Sequence, residues 1–275
     1  MSQSPDFKVT RTALIDGDFV AYQTAAWAHT SQSDVLAMTE RLMAQLTDWA
    51  RRAFCSKIIV ALSCPREDGF RRKAYPLYKA HRNADPPAML DTAKQVLRDE
   101  FQTVEMKGLE ADDIMGILAT NGKIFSPVMV SVDKDLLQIP GWHFNPEKQD
   151  FPTFIPLEAA DRAFHMQWLT GDTGDGFKGL EGIGPKKAEK ILEAVKGIDN
   201  IVLAVAVAYA SHAEKYTRDY CEAMARCARI LRWEDWDSEN RRPVLFTVPE
   251  WLVEIAWPTK AQRQARKFQN AGEPT

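Results

Sequence analysis

The chain has 275 residues, 45% of them hydrophobic and 27% charged. That is the balance of one or two globular domains, and it excludes a disordered chain without the apolar area to offset ordering entropy. The 35 Lys+Arg against 38 Asp+Glu leave a formal net charge of −3, which argues against a uniformly basic nucleic-acid coat protein. The longest apolar run, Ile201–Ala210, is too short to span a bilayer, and residues 1–6 show no basic start leading into an apolar core. Cys55, Cys64, Cys221 and Cys227 contain no Cys-x-x-Cys pair. The expectation is a reduced, soluble, cytoplasmic protein.

In chain order, Thr12–Ile15 reads as a short strand running into a turn at Asp16-Gly17-Asp18. From Ser33 to Phe54, Leu36, Leu42, Met43, Leu46, Trp49, Ala50 and Ala53 recur at helical spacing, with Ser33 or Asp34 as N-cap. Lys57–Leu62 reads as a buried strand, and Pro127 opens a second at Val128–Val132. Between them the pattern predicts a helix from Pro86 to Phe101, a strand at Thr103–Lys107 and a helix from Glu110 to Thr120. Strands alternating with helices over residues 12–138 predict an α/β fold, with a mostly parallel central sheet flanked by helices. After Phe151 the pattern turns helical: Glu158–Leu169, Lys186–Val195 and a long helix over Ala213–Leu231. A boundary near 150 then separates an α/β core (1–150, with an arch or clamp segment at 65–100) from a helical region (151–275).

The acids are the most informative residues. Asp16 and Asp18 follow one strand, Asp133 and Asp135 another, and Glu110, Asp112 and Asp113 open a helix after a third. Asp172 and Asp175 flank a Gly-rich turn. Ligands of open α/β sheets bind outside the carboxyl ends of the strands. Converging carboxylates cannot all stay unpaired, because like charges raise each other's pKa. A hard divalent cation relieves this, and oxygen-only ligation points to Mg2+ or Mn2+ instead of zinc. Any one cluster, alone, also reads as helix capping or turn chemistry. Setting aside these nine acids leaves 35 basic against 29 acidic residues, so the remaining surface is basic.

Two segments carry phosphate-binding chemistry. From Pro65 to Arg82, six Lys/Arg oppose two acids, with Phe70, Tyr75 and Tyr78 interleaved, a composition suited to a phosphate backbone and unstacked bases. The run Gly179-Leu180-Glu181-Gly182-Ile183-Gly184-Pro185-Lys186-Lys187 places two glycines and two lysines at a helix start, where free N–H groups can hold a phosphate. Lys260, Arg263, Arg266 and Lys267 in the last stretch read as extra contact or as a solvated face.

Five segments in order, LIDGD (14–18), FRRKAYPLYKAHR (70–82), LEADDIMGILA (109–119), VSVDKDLL (130–137) and GDTGDGFKGLEGIGPKKAEKIL (171–192), resemble the metal-dependent 5′ nucleases. That family takes in flap endonucleases and bacteriophage 5′→3′ exonucleases, and the phage branch is the most similar through the helix ending at Leu231. The resemblance covers residues 12–195 and implies a PIN-like core with a helix–hairpin–helix at 171–195. It implies two-metal hydrolysis of DNA phosphodiesters, with two Mg2+ or Mn2+ ions held by Asp16, Glu110, Asp112, Asp133 and Asp135, completed by Asp113, Asp172 and Asp175. Lys79 and Arg82 would reach the scissile phosphate, and Arg71, Arg72 and Tyr78 would line its path. Gly182, Gly184, Lys186 and Lys187 would grip duplex backbone, in some members with a K+ ion. Asp18 reads as a neighbour of Asp16 that supports the site from behind. The partner implied is duplex or flapped DNA, or an RNA/DNA hybrid, acted on by a monomer. One departure stands out: the family's Asp six residues before the Phe-Arg pair is Cys64 here, after Ser63. This keeps two alternatives open, a structure-specific DNA-binding protein with weakened catalysis and a PIN-type ribonuclease.

Overall fold

The computed structural model describes residues 10–258 except 83, 196 and 213, with the side chains of residues 198 and 199 also left aside. Strand β1 (Arg11–Asp16) leads directly into helix α1 (Gly17–Ser31). The expected turn at 16–18 is therefore a helix start: Asp16 itself is the N-cap, its Oδ1 accepting the Phe19 N–H at 3.1 Å. Gly17 is required here, because a Cβ would lie 2.4 Å from Val60 Cγ1 and 2.8 Å from the Ala61 carbonyl oxygen. The buried face of α1 is built from Val20, Ala21, Thr24, Ala25 and Ala28, small residues that give little apolar periodicity to read.

Helix α2 (Val35–Arg52), capped by Asp34, buries Met38, Leu42, Leu46 and Trp49 on one face. Each such side chain contributes about 1.5–3 kcal/mol by leaving water. Then come β2 (Cys55–Leu62), α3 (Phe70–Ala74), α4 (Leu90–Glu100), β3 (Gln102–Glu105), α5 (Ala111–Thr120), β4 (Pro127–Val130), β5 (Gly141–Phe144) and β6 (Thr153–Ile155). The sheet order is β3-β2-β1-β4-β5-β6, parallel except for the antiparallel β5–β6 pair. The order reverses at β1, so the crevice beyond the carboxyl ends of β1 and β4 is the topological switch point. Asp16 ends β1, and the chain leaves β4 through Ser131 and Val132 to Asp133.

The helical part holds α6 (Leu157–Thr170), α7 (Pro185–Glu193), α8 (Ile198–Ala210), α9 (Arg218–Ala228) and α10 (Glu250–Ala256). The run that read only as an apolar stretch is thus helix α8. The helix expected from Ala213 starts later, at Arg218, where the Thr217 side chain accepts the Tyr220 N–H. Gly171 and Gly179 both have positive φ and cross so closely that a Cβ on Gly171 would lie 2.4 Å from the Gly179 nitrogen. Trp168, Phe177 and Tyr209 centre the core of this part. Among the described residues no helix is long and apolar enough to cross a membrane. Lys260, Arg263, Arg266 and Lys267 lie outside the described residues.

The chain divides into two compact units, neither continuous in sequence. One takes the stretch ending at Arg72 with Arg82–Ala160 and Ile230–Val244; the other takes Lys73–His81, Asp161–Arg229 and the stretch from Leu245. The segment expected as an arch is shared between them, with 73–81 grouped beside the helices.

Candidate active site

In the first unit the acids gather at the carboxyl end of the sheet. Burial pushes the Asp16 carboxyl up to about 7, with Asp18 and then Asp133 adding like-charge repulsion against the Phe19 N–H that favours the anion. Asp133 caps a short 3-10 helix (Lys134–Gln138), its Oδ1 accepting the Asp135 N–H at 2.8 Å. Asp18 Oδ2 accepts the Ser63 N–H at 2.8 Å, and Lys94 lies 2.5 Å from its Oδ1. Ser63 then reaches the start of α5, its Oγ accepting the Ala111 N–H at 2.8 Å. The serine beside the missing family acid therefore ties the ends of β1 and β2 to the helix that carries the next cluster.

That cluster is Glu110, Asp112 and Asp113, whose carboxylate oxygens can come within 4.8 Å of one another. The three are not equivalent. Asp113 is fully buried and accepts four hydrogen bonds: Oδ1 from Arg71 Nη2 at 2.7 Å and the Leu231 N–H at 3.1 Å, and Oδ2 from Arg71 Nη1 at 2.6 Å and the Glu110 N–H at 3.2 Å. A carboxylate has about four acceptor positions. Protein donors thus occupy much of the acceptor capacity of Asp113, while its carboxylate stays one of the three whose oxygens lie within 4.8 Å of one another. Arg71 is buried with it, at 2% exposure, forked onto Asp113 and with Glu110 Oε2 at 3.0 Å. Arg72, next along α3, is half-buried. Glu110, Asp112 and Asp135 are half-buried and Asp133 is exposed.

Oxygen donors alone, a half-buried Asp16 and its acidic neighbours fit a hard divalent cation, whose charge would return Asp16 to the anion. Cys64 does not replace the absent acid. Burial raises its thiol pKa, so at neutral pH it is neither an anion nor a hard ligand.

In the second unit Asp172 and Asp175 shape the 172–177 turn. Asp172 Oδ1 accepts the N–H groups of Gly174 and Asp175 at 2.7 and 3.1 Å. Asp175 Oδ2 accepts the Tyr78 hydroxyl at 2.9 Å and lies 3.6 Å from Lys79 Nζ, while its carbonyl oxygen accepts the Lys79 N–H at 2.6 Å. Lys79 takes the left-handed φ of 50°, unusual outside glycine and asparagine. Tyr78, expected to meet DNA, is 3% exposed and packs on Phe177, so its ring cannot stack on a base. Arg82, grouped with the first unit, is exposed, and its carbonyl oxygen accepts from Arg66 Nη1 at 2.6 Å. Gly182, Gly184, Lys186 and Lys187 are all exposed. A Cβ on Gly182 or Gly184 would meet nothing within 4 Å, Gly184 caps α7 with Pro185 following, and Lys187 Nζ donates to the Gly182 carbonyl at 2.9 Å. That open helix start can take an anion.

Sequence reasoning singled out Ser63 only as part of the altered position, and missed its bonds to Asp18 and Ala111 as well as Lys94 and Leu231. Ser63 carries a readable signal, its place at a strand end beside the altered position. Lys94 and the Leu231 backbone amide carry none.

Residues 11–145 match the family model described as the 5'-3' exonuclease, N-terminal resolvase-like domain. The chain is 32% identical over 148 residues to a DNA polymerase I of Rhizobium leguminosarum, covering 48% of this chain and 14% of that protein. It is 26% identical over 199 residues to the flap endonuclease Xni of a Shewanella species, covering 67% and 75% of the two. A bacteriophage T5 flap endonuclease solved with DNA and metal ions shares the fold, with a TM-score of 0.54 at 16% identity over 79% of this chain and 99% of that one. The chain spans only 14–22% of the DNA polymerase I relatives it matches.

Proposed function

We propose, from the match of residues 11–145 to the 5'-3' exonuclease N-terminal domain model, that the chain is a Mg2+- or Mn2+-dependent 5′ nuclease acting on duplex or flapped DNA. The observation that carries this reading is the Asp16 carboxyl held up to about 7 among Asp18 and Asp133, at the switch point of the sheet. Asp16, Asp133, Asp135, Glu110 and Asp112 hold two divalent ions in this reading. When bound, such ions supply Lewis acidity that activates water and stabilises the charge of an in-line displacement at phosphorus. Asp172 and Asp175 belong to the reading as further acids, from the second unit. Lys79 and Arg82 neutralise charge developing on the scissile phosphate, since a fixed cation needs no reorganisation as the bond breaks. The Gly182–Gly184 turn, with Lys186, Lys187 and a K+ ion, holds backbone phosphate through open N–H groups and side-chain charge.

The test is a product ladder from 5′- and 3′-labelled duplex and flap substrates with Mg2+. Products that shorten from the 5′ end, lost in Asp133→Asn with binding retained, support the reading. Full activity in that variant, or in excess chelator, sinks it. Ser63-Cys64 favours a second reading, tight binding of flapped DNA with weakened cleavage. Flap affinity without Mg2+- or Mn2+-dependent products would establish it.

A further inference from the structure

Arg71 and Asp113 stand out because both are buried, both are charged, and both lie in a site that needs negative charge. A buried guanidinium beside Glu110 would by itself act as a rival cation and cancel the ligand. Here Asp113 takes that positive charge in a two-bond fork, and the three groups together keep one net negative charge. The fork is planar and fixed, so it sets the direction from which Arg71 reaches Glu110 Oε2. Leu231, 118 positions further along the chain, holds the fork by donating its N–H to Asp113.

We infer that Arg71 and Asp113 are positioning residues that aim Glu110 at a divalent ion without neutralising it. The inference rests on the metal-dependent reading above. It assigns Arg71 no contact with DNA and Asp113 no contact with metal, so it changes which measurement each variant should move. Arg71→Lys keeps the charge and loses the fork.

Mn2+ titrated calorimetrically into the metal-free full chain should bind Arg71→Lys about tenfold more weakly than the unaltered protein. KM for a 5′-labelled duplex at saturating Mn2+ should stay within twofold. In a Glu110→Gln background, Arg71→Lys should weaken Mn2+ by less than twofold further, because the coupling runs through Glu110. Unchanged Mn2+ affinity with a raised KM would mean that Arg71 touches DNA, and would overturn the proposal. A lowered melting temperature with unchanged Mn2+ affinity would reduce the pair to a structural ion pair, and an equal loss in the Glu110→Gln background would remove Glu110 from the chain of effect. Should Arg71→Lys fail to fold, Asp113→Asn carries the same comparison, since asparagine still offers an acceptor to the Leu231 N–H. An unaltered chain that binds no Mn2+ overturns the proposal. One that binds Mn2+ without cleaving DNA overturns only the nuclease reading, and the affinity comparison still decides the role of Arg71.

Discussion

Asp16 at the end of β1 and Asp175 in the 172–177 turn are both part of an acid pair, yet their electrical surroundings are opposite. Asp16 meets two other carboxylates and the backbone N–H groups of Phe19 and Asp18, and burial pushes it up to about 7. Asp175 meets a tyrosine hydroxyl and a lysine ammonium group. The neighbours that act on Asp16 are carboxylates, whereas Lys79 stands beside Asp175. Readiness for a cation therefore depends on the charge that surrounds each acid, and the number of acids in a motif says little about it. Asp113 makes the same point inside the first region.

The sharpest way to break this comparison is Asp16→Asn. It should lower cleavage about a hundredfold to a thousandfold, measured under single turnover with Mg2+, because a ligand at the switch point is lost. Lys79→Met, by contrast, should leave Mn2+ affinity intact while it slows cleavage. Gly17→Ala should destabilise the fold by about 1–3 kcal/mol in urea unfolding, since its Cβ has no room against Val60 and Ala61. Loss of Mn2+ affinity in the same variant would show that the acids depend on the start of α1.

The pH dependence sharpens the contrast further. The folded-state value of about 7 lies above the ordinary 3.8, so the folded state holds the Asp16 proton more tightly than the unfolded chain. That stabilisation is whole below about pH 4 and is lost as pH rises through about 7. Metal-free protein should therefore lose on the order of 2 kcal/mol between pH 5 and 8 from this group, discounted for its partial exposure, and Asp16→Asn should flatten the curve. Mn2+ should bind more tightly as pH rises over the same interval, because binding displaces the proton. Lys186→Ala should weaken duplex binding uniformly across sequences and reduce the slope of log affinity against log salt by about 1. The smallest effect belongs to Tyr78→Phe, about 1 kcal/mol of stability with DNA affinity unchanged, because its hydroxyl bonds Asp175 from within the core.

Much of this molecule is legible in its sequence, and the gaps have physical causes. The strands β1, β2 and β4 read correctly because a parallel strand covered on both faces is a short unbroken apolar run. Helix α1 escaped because its buried face is alanine and threonine and because an Asp-Gly-Asp start looks like a turn. Helix α8 escaped because it is apolar all round and shows no period. Asp16 and Asp133 could be placed at strand ends from spacing alone. The separation of Asp113 from its neighbours could not, because it depends on an arginine 42 positions away and on a backbone amide 118 positions away. Tyr78 misled for a related reason: aromatics among lysines read as a base-stacking surface, and only packing on Phe177 makes this one part of the core.

The amide of Leu231 also has a consequence for how the protein is made. At about 5–20 residues per second, a ribosome finishes the six strands of the sheet well before it adds residue 231. Until then Asp113 lacks one donor, and the carbonyl of Gln138 lacks the Arg232 guanidinium that caps it at 2.6 Å. A nascent chain that already holds Asp16, Glu110, Asp112, Asp113, Asp133 and Asp135 is thus still missing the amide that bonds Asp113.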